Sequence, residues 1–122
     1  MGAAVFLAAA LAACGGEDER AGTGAPTVDL VISVTTPQGN RETRLQCDAA
    51  ARSRRCEIAR RLADFLAEEP PRDRVCTEIY GGPETARVRG TIGERRIDRR
   101  FSKKNGCEIA DWERAEPLLA VR

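Results

Sequence analysis

The hydrophobic and polar positions of this chain follow the two-residue period of β-strands in several segments. Residues 27–36 are rich in β-branched side chains, and a turn with Pro and Gly at residues 37–40 returns the chain as a second strand. Alternation resumes on both sides of a tight turn at Gly93 and Glu94, and a short apolar run follows Pro117. The predicted strands are residues 27–36, 41–47, 84–92, 95–101 and 118–121.

Two segments have the helical period instead. Ser53 is a suitable N-cap for the first helix, and the prolines at residues 70–71 end it. The apolar residues that share one face of this helix are Ile58, Leu62, Phe65 and Leu66. A second, short helix is predicted over residues 107–114, after a turn at residues 105–106. Because strands and helices segregate along the chain, the pattern predicts an α+β fold, with a five-stranded antiparallel sheet and two helices packed on it.

The N-terminal residues predict export and anchoring. Residues 1–13 are an uncharged, alanine-rich apolar run, which is too short for the roughly 20 residues that cross a bilayer but has the length of a signal-peptide core. The run ends in Leu-Ala-Ala followed by Cys14, which resembles the lipobox of bacterial lipoproteins, where the cysteine is lipidated. Residues 14–26 are small and polar and predict a flexible tether, so residues 27–122 are left as the folded domain. We expect an extracellular protein anchored to the cell membrane; the alternative is a buried N-terminal helix with a free cysteine.

The composition narrows the range of functions. The chain has 122 residues, 42% apolar and 32% charged, with a formal net charge of +1 and no histidine. This length fits one small domain. Without histidine, the chain lacks the base of Ser-His-Asp and Cys-His nucleophiles and any His ligand for zinc. Aromatic residues are only 4% and the net charge is near zero, so nucleic-acid binding is not expected. We expect a binding protein rather than an enzyme, with no cofactor and no metal.

Once Cys14 is set aside, four cysteines remain in the domain and predict disulfides. An even number of cysteines in a small exported domain is typical of disulfide bonding, and four cysteines allow three pairings. No CxxC motif occurs, and the spacing matches no zinc site. Spacing favours Cys47–Cys56 as a short local bridge and Cys76–Cys107 as a long one, each contributing roughly 3 kcal/mol.

A distinctive pair of motifs surrounds the last two cysteines. They are CTEIYGGP at residues 76–83 and NGCEI at residues 105–109. With the first strand and the helix around Cys56, they resemble the subtilisin inhibitor-like family of actinobacteria over about residues 27–114. The resemblance implies a five-stranded antiparallel sheet with two helices, the same two disulfides and often a homodimer. It also implies reversible, substrate-like inhibition of subtilisin-type serine proteases.

Carried over residue by residue, the resemblance places the reactive bond between Glu78 and Ile79. The other residues of the predicted protease-contact loop are Cys76, Thr77, Tyr80 and Gly81. An acidic residue before the reactive bond fits a protease with a basic S1 site, because burying an unpaired carboxylate in an apolar site costs several kcal/mol. The expected partner is therefore a subtilisin-like or glutamate-accepting serine protease. The alternative is an ordinary surface loop pinned by a disulfide.

Two charged segments leave a second function open. From Arg87 to Lys104 there are eight basic residues against Glu94 and Asp98. This run indicates either an anionic surface partner, such as lipid head groups, or the solvated face of two strands, which we favour. The acidic residues Glu108, Asp111 and Glu113 are expected to decorate an exposed helix rather than to do acid–base chemistry. The alternative to an inhibitor is a non-inhibitory binding module of the cell surface, built on the same scaffold.

Overall fold

The fold is a single antiparallel sheet with helices on one face. A computed structural model describes residue 2 and residues 24–120 of the chain. In chain order the elements are β1 (Val28–Thr36), β2 (Gly39–Cys47), α1 (Arg54–Arg61), α2 (Ala63–Ala67), β3 (Gly82–Ile92), β4 (Arg95–Lys103) and α3 (Gly106–Leu119). All neighbouring strands are antiparallel, in the order β2-β1-β3-β4. The predicted α+β class is confirmed.

The core lies between the sheet and the helices. Alternation along the strands turns one set of side chains inward, and the fully buried members include Leu30, Ile32 and Val88. Burial of each of these side chains contributes about 1.5–3 kcal/mol. Gly90 faces Leu30 in the central strand pair, with φ +140°, and a Cβ at this position would overlap the backbone of β1. The two central strands therefore approach more closely at Gly90 than a larger residue would allow.

The first predicted helix forms where expected, in two pieces. Ser53 accepts a hydrogen bond from the backbone N–H of Cys56, which satisfies one of the free donors of the first turn of α1. The helical run is interrupted at Leu62 and continues as α2, which ends before Pro70. The Cys47–Cys56 disulfide joins the end of β2 to α1, as the spacing favoured.

The predicted fifth strand is wrong, and the described residues contain three helices rather than two. The apolar run that begins at Leu118 belongs to α3, which starts earlier and ends later than predicted. Pro117 lies inside the last turn of α3 and does not break it, although its ring and missing N–H are unfavourable in a helix. Pro117 faces solvent, whereas Ala115, Leu118 and Leu119 are buried against the sheet. Burial of these three side chains offsets the unfavourable proline.

The N-terminal predictions fall largely outside the described residues. The predicted signal peptide at residues 1–13 (apart from residue 2), the predicted lipidation site Cys14 and the predicted tether up to residue 23 lie there. At Pro26 the chain is already held to the domain, because the guanidinium of Arg60 donates to the carbonyl of Pro26 at 2.8 Å. Within the described residues, no helix has the length and apolar character needed to cross a membrane.

Candidate functional site

The most exposed apolar surface of the described chain lies on one segment, residues 74–81, which is the last part of the connection between α2 and β3. This segment has no helix or strand. Among residues 24–120, the exposed large hydrophobic side chains are Val75, Ile79 and Tyr80, at 98%, 62% and 66% exposure. Glu78 is exposed between them. Exposed apolar side chains close together in the chain are a feature of interaction surfaces.

The N-terminal half of the segment is fixed to the start of α3. The Cys76–Cys107 disulfide brings the two Cα atoms to 5.3 Å, as the spacing favoured. The backbone N–H of Gly106 donates to the carbonyl of Thr77 at 2.9 Å. A Cβ on Gly106 would overlap the hydroxyl of Thr77, so the close approach depends on glycine. Asn105, which was expected only in a turn, is the N-cap of α3 and accepts from the backbone N–H of Glu108 at 3.0 Å.

The C-terminal half of the segment is fixed to β4 and to α3. The backbone N–H of Gly81 donates to the carbonyl of Lys103 at 2.7 Å. Gly81 also packs so closely on α3 that a Cβ would lie 2.9 Å from Cδ1 of Ile109. Strand β3 begins at the next residue, Gly82, which pairs with Lys103.

Between these two attachments, the chain is held only at its ends. Within residues 24–120, nothing hydrogen-bonds to Glu78, Ile79 or Tyr80. The peptide bond between Glu78 and Ile79 is therefore presented to solvent by a segment that is anchored one residue before Glu78 and two residues after Ile79. An exposed segment held in this way suits recognition by strand addition to another protein.

A network of ion pairs lies behind the start of the segment. The guanidinium of Arg74 donates to Asp111 at 2.8 Å and lies 3.5 Å from Glu108. The hydrogen bond to Asp111 is the main reason that the pKa of Arg74 is raised. Asp111 also accepts from Arg99 at 3.2 Å. The prediction that these acidic residues lie on an exposed helix face is correct for Glu113, which is exposed. It is wrong for Glu108 and Asp111, which are half-buried and pair with Arg74.

Arg99 is the fixed member of this network. It is only 6% exposed, and it donates to the carbonyls of Phe65 and Glu68, both at 2.9 Å. Its guanidinium lies 4.7 Å from the ring centre of Phe65 and 5.2 Å from that of Phe101. Burial lowers the pKa of Arg99, and the nearby Asp111 opposes that shift.

Strand alternation divides the basic run of residues 87–104 between two faces. Arg95, Arg99 and Lys103 each meet a carboxylate, namely Asp64, Asp111 and Glu84. The remaining arginines point to the open face of the sheet, where Arg44 of β2 joins them. The charged residues of this face are Arg44, Arg87, Arg89, Arg96, Arg100, Asp29, Glu42 and Asp98. Five arginines against three acids leave it with a positive charge.

Asp98 lies among three of the arginines on this open face, Arg87, Arg89 and Arg100. It accepts two hydrogen bonds from Arg87, both at 2.9 Å. These bonds, together with the charges of Arg87, Arg100 and Arg89, lower the pKa of Asp98. Arg87 and Arg100 occupy directly opposite positions on neighbouring strands, an arrangement of like charges that is unfavourable.

The structure brings the predicted site residues together on one surface. Thr77, Glu78, Ile79, Tyr80 and Gly81 form one continuous exposed segment beside α3, and the half-buried Cys76 precedes it. Sequence reasoning missed Val75 and the Arg74–Asp111 pair. Val75 could have been found as an apolar residue without periodic neighbours beside a disulfide cysteine. The ion pair spans 37 residues, and no local pattern indicates it.

Comparison with models of protein families, with curated proteins and with solved structures gave no match. The function therefore has to be inferred from the residues and their geometry.

Proposed function

We propose that this protein is a substrate-like inhibitor of serine proteases, with Glu78–Ile79 as its reactive bond. The observation that supports this most directly is that the bond lies in an exposed segment attached at Thr77 and at Gly81. Such an inhibitor offers an extended segment to the edge of the protease active site. It also holds that segment in place before binding, because ordering a free loop costs affinity. The motif resemblance to the subtilisin inhibitor-like family supports the same function.

The side chains of the segment indicate the class of target. Glu78 would enter the S1 site, which favours a protease with a positive charge there. Val75, Ile79 and Tyr80 supply apolar surface on both sides of the bond. We therefore propose a subtilisin-type or glutamate-accepting serine protease as the partner. The protein itself acts as an inhibitor and not as an enzyme.

We also propose that the inhibitor is exported and held at the cell membrane by a lipid on Cys14. The support is the lipobox-like sequence and the polar residues that follow it. From Cys14 to Val28 the chain can extend to about 45 Å, so an anchored domain would stay close to the membrane surface. The lipid is tested by mass spectrometry of the membrane fraction, with Cys14→Ser as the unlipidated control. A homodimer, which the resemblance supports, is tested by sedimentation of the same variant.

The inhibitor proposal is tested by titrating the oxidised Cys14→Ser chain against subtilisin and against a glutamate-specific serine protease. We expect stoichiometric inhibition of at least one of them, with slow cleavage only after Glu78. Glu78→Leu should shift inhibition toward subtilisin, because it removes a carboxylate that costs several kcal/mol to bury in an apolar site. Glu113→Leu is the matched control, since Glu113 is an exposed glutamate on α3.

Two results would count against the proposal. One is cleavage after Glu78 as fast as that of an unstructured peptide. The other is the absence of binding to either protease at micromolar concentration, for both the parent chain and Glu78→Leu. Either result would favour the second candidate function.

The second candidate is a binding module that uses the open face of the sheet. The supporting observation is the cluster of Arg87, Arg89 and Arg100 around one carboxylate, Asp98. Arginine forks bind phosphate in a bidentate manner, so the matching partner is an anionic phosphate-bearing surface. Binding of the Cys14→Ser chain to phosphatidylglycerol vesicles, compared with phosphatidylcholine vesicles, tests it. A variant with Arg89→Gln and Arg100→Gln should lose binding if this face is used, and unchanged binding would exclude the face.

A further inference from the structure

We infer that Asp111 is a positioning residue for the 74–81 segment, and that it sets how slowly a bound protease completes hydrolysis of the Glu78–Ile79 bond. This inference rests on the proposed function. It concerns the network of Arg74, Asp111 and Arg99, none of which lies at the reactive bond. Asp111 is the one member that touches both the segment and the buried part of the molecule.

Asp111 connects Arg74, at the start of the segment, to the buried Arg99. Arg99 is held by two backbone carbonyls and lies over two aromatic rings, so its guanidinium has little freedom to move. Because Arg99 donates to Asp111, the carboxylate is held where Arg74 can reach it. The position of Arg74, at the start of the segment, is therefore fixed relative to the core.

The charges of the network predict which contact fails first. Arg74 and Arg99 face two carboxylates, Asp111 and Glu108, and the four charges balance. Asp111→Asn would leave two guanidinium groups with one carboxylate, which Arg74 meets only at 3.5 Å. Arg99 would keep its two carbonyl acceptors, whereas Arg74 would lose its short ion pair. The change is thus expected to loosen the segment rather than the core.

The consequence concerns the fate of the cleaved bond. When the protease serine attacks, its Oγ forms an ester with the carbonyl carbon of Glu78, and the amine of Ile79 is released with the serine proton. Attack of that amine on the ester restores the peptide bond and frees the serine. Attack of water on the ester also frees the serine but leaves Glu78 with a backbone α-carboxylate, so the bond stays cleaved. The first reaction requires the two ends to stay in register, since a small displacement lowers the rate of an intramolecular step strongly. Arg74 and Cys76 hold the acyl side, and Gly81 holds the amine side.

The experiment measures association and hydrolysis separately in the oxidised Cys14→Ser chain. The protease that the parent chain inhibits should hydrolyse the Glu78–Ile79 bond of Asp111→Asn at least tenfold faster than that of the parent chain. The association rates of the two chains should agree within about twofold. Arg74→Gln should have the same effect, and the double variant should be no worse than either single variant, because both remove the Arg74–Asp111 ion pair. Glu113→Gln, on the same helix, is the matched control and should behave as the parent chain. An unchanged hydrolysis rate in Asp111→Asn, or additive effects in the double variant, would overturn the inference.

A second measurement keeps this test separate from the proposed function. If the parent chain inhibits neither protease, the function fails, but positioning can still be measured by amide hydrogen exchange. The N–H of Gly106, which donates to Thr77, should exchange at least tenfold faster in Asp111→Asn than in Glu113→Gln. Equal exchange in these two variants would show that Asp111 does not position the segment.

Discussion

Removal of the Cys76–Cys107 disulfide should abolish inhibition, whereas removal of Cys47–Cys56 should leave it intact. The first disulfide ties the exposed segment to α3. The second joins β2 to α1 and is buried in the core. The two bonds thus offer a matched pair of perturbations, made by replacing both cysteines of one bond with alanine.

The expected losses of stability are similar. The paired cysteines are 31 residues apart in Cys76–Cys107 and 9 apart in Cys47–Cys56. From the entropy of closing these loops in the unfolded chain, the losses are about 3.7 and about 2.6 kcal/mol. The second variant also loses packing, because both of its cysteines are buried. Small domains are stable by about 5–15 kcal/mol, so these losses leave both variants folded over most of that range.

The assay combines urea denaturation with the inhibition titration, at a temperature where both variants are folded. We expect the Cys76/Cys107 variant to be cleaved rapidly after Glu78, while the Cys47/Cys56 variant inhibits as the parent chain does. If inhibition falls in parallel in the two variants, then stability of the whole fold, and not the local attachment of the segment, controls inhibition. That result would refute the reasoning.

Three further predictions concern local contacts. Gly106→Ala should destabilise the domain by about 1–3 kcal/mol in urea denaturation, because its Cβ overlaps the Thr77 hydroxyl, and adding Thr77→Ala should restore most of the loss. Leu118→Ala should cost about 2–5 kcal/mol, since Leu118 is fully buried, and an alanine at exposed Glu116 should cost little. Arg87→Gln should raise the pKa of Asp98 toward the ordinary value of aspartic acid, as followed by carboxyl NMR. Because the folded pKa of Asp98 is lowered, its contribution to stability is present above the ordinary aspartic acid pKa and is lost as pH falls through the lowered value.

Most of the fold was predictable because local signals agree with the final packing. The strand alternation, the Gly93 turn and the Ser53 cap all occur where the pattern predicts them. The C-terminal element was not predictable, because a short apolar run has no period that distinguishes a strand from a buried helix turn. Pro117 favoured a break, but burial of Leu118 and Leu119 determines the outcome and depends on the sheet beneath them.

In the candidate site, only the residues within the two cysteine motifs, 76–83 and 105–109, could be predicted from the sequence. The residues beside Cys76 and Cys107 could be named because their motifs resemble a known family. The role of Arg99 was hidden within a basic run, although its position in step with Ile97 and Phe101 indicates an inward direction. Its partner Asp111 lies on a different element, and only the fold brings the two together.

The strand order has a consequence for how the protein is made. Strand β1 pairs on one side with β2, the next strand in the chain, and on the other with β3, where Val28 lies opposite Ile92. A chain that emerges N-terminus first completes the β1–β2 hairpin, and brings Cys47 and Cys56 within reach of each other, before β3 exists. During that interval β1 has an unpaired edge, which is a surface for misassociation between nascent chains. Pairing with β3, which is complete only when the chain has emerged as far as Ile92, closes this edge of β1.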